Sequence, residues 1–363
     1  MSEECDFCGQ KSTVPIALDI RVVIDRIEAS LDQLHDDPER LGLPVGNGDV
    51  VRPTDLIDAY DMVHDFADLG CENEEILEQI VWALNDRIWL QRGSVYPTVV
   101  ETLRFSWDRF SKLAKYSWRY TLLSAMHSGT GVQNRSPASL LREILVVAQR
   151  ASLLIMLSKG TLIFRARVHS SKEKANDAKS LGTPTAEKIR NPNRMSPAGI
   201  AVFYGALESE TARCEGCSQR SKGNQLTIGE FYNNKAIGVL DLSVPLSLPG
   251  TYSDEVGTTD AVEFLNRFGE LVSARVSRET DSGLDYVPTQ VFSEFVRMSG
   301  MSRTKVRGII FRSSQHEGGR NLVLFYGPED CKDPGQVESG DDCLVLRAYS
   351  RTRIASRHSG NPK

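Results

Sequence analysis

No stretch of this sequence is long and apolar enough to cross a bilayer, which takes about 20 consecutive apolar residues. The nearest approach, SLLIMLSKGTLIF, is broken by Lys159 and Gly160. The opening MSEECDF is acidic and polar, unlike a secretory leader. The expectation is a cytoplasmic protein without a membrane partner. Strong charge of one sign is also missing: the net charge is −5 over 363 residues. That excludes a chain-wide attraction to nucleic acid, and no nucleic-acid partner is expected, although a local basic patch stays open. Cysteine is scarce, unevenly spread and odd in number, seven in all. No disulfide framework follows from it, and in a reducing compartment these residues are thiols, small buried side chains or metal ligands. The dinucleotide fingerprint GxGxxG and the phosphate loop GxxxxGK[ST] are both absent, which disfavours redox use of NAD on a doubly wound sheet. HExxH is absent too, and His35, His64, His169 and His316 are scattered, with no metal-binding spacing.

What is present reads as an ordinary globular chain, 40% hydrophobic and 25% charged, with length for two domains or one large one. The first part has a helical pattern. Residues 54–69 suggest a helix with Thr54 as its cap after Pro53. Residues 73–92 place Ile76, Ile80, Leu84 and Ile88 at steps of four, with Asn73 as cap and Glu74 and Glu75 at the positive end. Residues 98–126 carry Phe105, Trp107, Phe110, Tyr116, Trp118 and Tyr120, expected in core and interface packing. Ser136-Pro137 opens a further helix through LLREILVVAQRASLLIML.

The character changes near Gly160. TLIFRARV alternates as a strand, with Ile163, Arg165 and Arg167 on one face. A long polar loop follows, HSSKEKANDAKSLGTPTAEKIRNPNRMSPAG, and loops of that length are often functional. IAVFY, KAIGVLDLS, VRGIIF, NLVLFY and CLVLRAY read as strands; ESETARCEG, DAVEFLNRFGELVSARV and TQVFSEFVRM read as helices. The fold class expected is α+β: a cysteine-bearing tip (1–15), a helical domain (16–155), a mixed α/β domain (156–350) and a flexible basic tail (351–363).

Three segments of the second domain hold polar groups that a core would not need. Arg194 stands beside a Pro-Ala-Gly turn, Tyr204 ends a strand with Glu215 in the next short helix, and Ser313 and Ser314 follow a strand before a glycine turn. Side chains at strand ends commonly line sites in α/β folds. Arginine suits phosphate oxygens. Tyrosine offers a flat face and a hydroxyl. A carboxylate holds ribose hydroxyls and stabilises a cationic sugar transition state, and serine adds a neutral donor. Together they suit a nucleotide whose N-glycosidic bond is broken. Singly each has a plain reading: a solvated arginine, an exposed helix glutamate, a turn-forming serine.

The stretches LIFRAR, LGTP, RMSPAGIAVFYGALESETARCE, YVPTQVFSEF and GIIFRSSQHEGGRNLVLF occur in that order over residues 160–326. In this they resemble the RES domain of bacterial toxin–antitoxin systems, and the helical part with its CDFCG opening is similar to the HEPN/RES N-terminal domain. The resemblance implies a fold like that of ADP-ribosyltransferases and action on NAD+ as substrate, with phosphate as an optional co-substrate. It makes Arg194, Tyr204, Glu215 and Ser313 the catalytic set, Ser314 remaining an alternative to Ser313. Arg165, Arg194, Tyr204, Ser314 and Asn321 are then the dinucleotide contacts. The activity implied is NAD+ glycohydrolase or phosphorylase; ADP-ribosyl transfer to a protein and a non-catalytic nucleotide-sensing adaptor are the alternatives. A protein antitoxin or immunity partner and a homo-oligomer are implied as partners. A HEPN ribonuclease would need Arg-x(4–6)-His; Arg119 and His127 are spaced too widely, and Arg353 and His358 fit but lie in the tail.

Two Cys-x-x-Cys pairs remain, Cys5 with Cys8 and Cys214 with Cys217. They fit a joint four-cysteine zinc site, a half-site at Cys5 and Cys8 with other ligands, or plain thiols. The joint site would tie zinc to the helix that carries Glu215.

Overall fold

The computed structural model describes residues 9, 11, 19–43, 55–85, 87–124, 136–218, 223–274, 283–299 and 306–354. They fall into two compact units, Met1–Thr102 with Ser247–Glu263, and Leu103–Leu246 with Phe264–Lys363. No described helix is long and apolar enough to cross a membrane.

The first unit is mainly helical. Helix α1 (Ile20–Leu34) starts at Asp19, whose carboxylate accepts the Arg21 N–H at 2.9 Å. Strands β1 (His35–Asp36) and β2 (Leu56–Ile57) pair with the later β3 (Trp89–Gln91) in the order β1-β3-β2. Of the helix expected over 54–69, Thr54 lies outside the described residues. The rest is a short α2 (Ala59–Asp61), capped by Asp58 and continuing as one π-helical turn, Met62–Phe66. Helix α3 (Glu74–Leu84) is capped as expected, Asn73 accepting the N–H groups of Glu75 and Ile76 at 3.0 and 3.3 Å. It stops at Leu84, short of the expected length, because residues 89–91 are used for sheet pairing; Ile88, beyond its end, is exposed. Ile27, Leu31, Met62, Leu77, Ile80, Leu84 and Trp89 form the core.

The second unit is built on a nine-stranded mixed sheet. Helix α4 (Val99–Tyr116) buries Trp107 and Phe110. Phe105, Tyr116, Trp118 and Tyr120 are exposed, so only part of the aromatic set expected in packing serves the core of this chain. Helix α5 (Pro137–Arg150) has the expected Ser136 cap, whose Oγ accepts the Ser139 N–H at 3.2 Å. The apolar run beyond it is not more helix. Ser152 takes a left-handed φ of +57°, and β4 (Leu154–Leu157) pairs antiparallel with the later β8 (Ile237–Asp241). Sheet pairing at an edge outweighs helix propensity over those four residues.

The remaining elements follow in order: β5 (Leu162–His169), α6 (Ala178–Leu181), β6 (Phe203–Ala206), α7 (Ser209–Ser218), β7 (Gln225–Asn233) and β8 (Ile237–Asp241). Then come α8 (Thr259–Ser273), α9 (Val287–Met298), β9 (Val306–Arg312), β10 (Arg320–Leu324), β11 (Cys331–Lys332) and β12 (Leu344–Arg353). The sheet order is β11-β12-β7-β5-β6-β10-β9-β8-β4, with β8/β9 and β11/β12 parallel and the other pairs antiparallel. One face buries Ile163, Phe203, Phe231, Leu322 and Leu344. The fold class is α+β, as the sequence implied.

Helix α7 lies close on β5. A methyl group at Gly216 would sit 2.7 Å from Ala166 Cβ, nearer than two carbons approach. A glycine there lets the helix backbone rest against the strand, and its neighbour Glu215 is thereby carried toward the sheet.

Candidate active site

In the second unit, the turn after β9 and the start of β10 reach Glu215 on α7. Ser313, just after β9, donates its hydroxyl to Glu215 Oε1 at 2.7 Å. Asn321, buried at the start of β10, donates Nδ2–H to the same oxygen at 2.7 Å. Ser313 Oγ also accepts the N–H groups of Gln315 and His316, each at 3.1 Å. With both lone pairs occupied, its proton is committed to the carboxylate. Two donors thus fix Oε1, and Oε2 accepts no hydrogen bond among the described residues. Ser314 is exposed and accepts from Gln315 Nε2 at 3.2 Å instead, so the geometry brings Ser313 and not Ser314 to Glu215.

Tyr204 on β6 stands edge-on to Phe311, centroids 6.0 Å apart. Burial, reinforced by the Glu215 charge, pushes its phenol well above the usual value of 10. It is a neutral phenol near neutral pH, a wall and a donor rather than a base. Arg165 donates Nη1–H to the Leu181 carbonyl at 2.8 Å, while its buried Nε has no partner among the described residues. Burial, with Arg167 as a like charge, pushes the guanidinium down to about 10, so it stays cationic near neutral pH. Arg165, Tyr204 and Glu215 line one cleft of about 390 Å³, together with Lys188, Arg190 and Asn193.

Arg194 is placed differently from the expected phosphate contact. Its guanidinium donates to the Ala274 carbonyl and lies over the Tyr286 ring, 5.6 Å from the centroid. It does not line the cleft, though its charge reaches Tyr204 and favours the phenolate there.

The turn that carries Ser313 is held by a network no single motif signals. Glu208 accepts the Arg320 N–H and Nε–H, both at 2.8 Å, and the Thr211 hydroxyl at 2.9 Å. Because the Thr211 proton goes to Glu208, His316 Nδ1, 2.9 Å from Thr211 Oγ1, must bring its own proton. Gly319 passes directly over this pair; a Cβ there would collide with Thr211 Oγ1 and His316 Nδ1. Burial opposes ionisation of Glu208, but the donors of Arg320 and Thr211 outweigh it and hold its carboxyl below the ordinary 4.5. A depressed carboxyl contributes stability that is present above its unfolded value and lost as pH falls through the folded one. The turn should therefore loosen on acidification below the ordinary glutamate range. Glu208→Gln should reduce the acid slope of the unfolding free energy, measured by urea titration at several pH values. An unchanged slope would show that Glu208 does not anchor the turn.

Cys214 and Cys217 are half-buried on α7, the Cys214 thiol 3.6 Å from Glu210 Oε1. Cys5 and Cys8 lie outside the described residues, as do His127 and His358. Among the described residues, no three His, Cys, Asp or Glu side chains are grouped for a metal ion.

Residues 163–341 match the RES domain, and residues 1–128 match HEPN/RES N-terminal domain 1. This is a RES-domain protein. A RES domain implies a toxin-like family of enzymes related to NAD+, associated with NAD+ binding and typically paired with antitoxins. No curated protein and no solved structure matches the chain. Within the RES region the sequence motifs singled out Glu215, Ser313, Tyr204 and Asn321, which the fold brings to one face, and Arg165. They did not single out Lys188, Arg190, Glu208 or Thr211. The only signal for the first two was the length and polarity of their loop.

Proposed function

We propose that this RES-domain protein cleaves the nicotinamide N-glycosidic bond of NAD+, with water or phosphate as acceptor. The observation that supports it most is a carboxylate held by two neutral donors through one oxygen, with the other left free beside a cationic cleft. Nicotinamide departs as a neutral molecule from a pyridinium, taking the C–N bonding pair, and needs no proton from the enzyme. The demand falls on the cationic sugar left behind. Glu215 Oε2 stabilises that oxocarbenium-like charge, and Ser313 and Asn321 fix the carboxylate before the reaction begins. Arg165 takes anionic oxygens of the diphosphate, and Tyr204 packs against the ring end. The acceptor oxygen then bonds to C1′. Water loses its proton to solvent and leaves ADP-ribose, while inorganic phosphate leaves an ADP-ribose phosphate.

The test is to incubate purified protein with NAD+, with and without phosphate, and to follow nicotinamide by chromatography. Nicotinamide release is expected, with the co-product identifying the acceptor. Absence of nicotinamide in both conditions would refute the reading. Mass spectrometry of a lysate incubated with the protein separates free ADP-ribose products from a modified protein.

A further inference from the structure

The cleft beside Glu215 is cationic in a chain whose net charge is −5. Three cations line it, Arg165, Lys188 and Arg190, against one carboxylate, Glu215. Lys188 and Arg190 are exposed, and neither is ion-paired among the described residues. Arg165 is the opposite case, with a buried Nε that has no acceptor among the described residues. Three cations facing one carboxylate leave the cleft with excess positive charge, which is costly to partly bury unless an anion arrives to meet it.

The backbone that presents Lys188 and Arg190 is secured on both sides. Lys188 N–H donates to the Thr185 carbonyl at 2.9 Å, and Gly199 N–H donates to the Ile189 carbonyl at 2.9 Å. Further along, Gln290 Nε2 donates to the Asn193 carbonyl at 2.7 Å, and Thr289 Oγ1 to that of Arg194 at 2.6 Å. The loop therefore meets a ligand with little ordering left to do. Arg194, whose guanidinium is engaged with Ala274 and Tyr286, leaves that part of the cleft to these two side chains.

We infer that Lys188 and Arg190 form an anion subsite, on the loop wall of the cleft, that selects phosphate-bearing nucleotides over phosphate-free ribosides. This rests on the proposed function for the identity of the nucleotide, but the charge arrangement stands without it. The diphosphate spans from Arg165 to the loop while the ribose to be cleaved faces Glu215. Exposed cations at the mouth also attract the ligand over a distance, so association weakens as salt rises.

The experiment measures binding of ADP-ribose to the full chain by calorimetry, which needs no turnover. Lys188→Ala and Arg190→Ala are compared singly and together, with Arg190→Lys as the variant that retains charge. Each alanine is expected to weaken ADP-ribose binding about tenfold, the loss of one charge-assisted contact, and the lysine to restore part of it. Nicotinamide riboside, which has no phosphate, is the second probe: its cleavage at saturating enzyme should be unchanged in the double variant. The double variant binding ADP-ribose as the wild type does would overturn the subsite. So would an equal loss toward the riboside, since that marks a general disturbance. If the wild type releases no nicotinamide from NAD+ yet binds ADP-ribose in a loop-dependent way, the reaction assigned above falls and the subsite stands. If NAD+ is cleaved but the double variant has an unaltered KM, the subsite falls and the reaction stands.

Discussion

Glu215→Gln should lower kcat for nicotinamide release by about 100- to 1,000-fold, the range found when one preorganised electrostatic contact to a transition state is removed. The glutamine carbonyl can still accept from Ser313 and Asn321, which both bond to one oxygen of the native carboxylate. Folding should therefore be retained, and thermal unfolding should stay close to that of the wild type. What is lost is the negative charge on the second oxygen, replaced by an amide donor that repels a cationic sugar. KM should change much less than kcat, because the interaction matters mainly once charge develops. A variant that keeps more than a tenth of wild-type turnover would remove Glu215 from the chemistry. The same substitution should relieve growth inhibition if expression of the wild type proves toxic.

The largest effect on stability should come from Trp107→Ala. Trp107 is 5% exposed and sits between three phenylalanines of the second unit. It lies edge-on to Phe268 at 4.8 Å and to Phe292 at 6.4 Å, and tilted against Phe110 at 5.0 Å. Phe268 is in turn edge-on to Phe292 at 5.0 Å and stacked on Phe264 at 5.8 Å. Truncating a buried tryptophan costs about 3–5 kcal/mol, from lost transfer free energy and from the cavity left among rings that cannot close over it. In a unit of this size that lowers the melting temperature by roughly 6–20 °C, read by calorimetry of the full chain. Trp107→Phe should recover most of the loss. A shift of under about 2 °C for the alanine would mean that the cluster is not what holds α4 to α8 and α9.

How much of this was legible beforehand depends on the kind of signal each residue gives. Caps are local, so Asn73 and Ser136 could be read from sequence, and both accept the N–H groups expected of them. Strand β6 and helix α7 were also readable, the one from the short apolar run IAVFY and the other from the polar stretch ESETARCEG that follows it. Strand β7 was not marked. Gly229, Glu230 and Asn233 blur QLTIGEFYN, yet β7 pairs with both β5 and β12, and that pairing is a tertiary fact. The apolar run after Arg150 gave the wrong element for a related reason: an apolar periodicity shared by helix and strand is resolved only by the partner strand β8. At the site, residue type pointed to Glu215 and Ser313, but direction could not be read. Arg194 has the right chemistry for phosphate and faces Ala274 and Tyr286, while Lys188 and Arg190, in a loop with no motif, line the cleft.

The sequence distance between Glu215 and the groups that hold it has a bearing on timing. Asn321 lies 106 residues downstream of Glu215, and Ser313 lies 98. At a synthesis rate of about 5–20 residues per second, α7 emerges from the ribosome several seconds before β9 and β10 exist to receive it. Through that interval the carboxylate has neither of its donors, and β6 lacks β10, one of its two neighbours in the sheet. On the proposed mechanism, a nascent chain is inert until β9 and β10 have been made and folded. Under the reaction proposed above, that delay gives a protein partner time to be present before the first turnover.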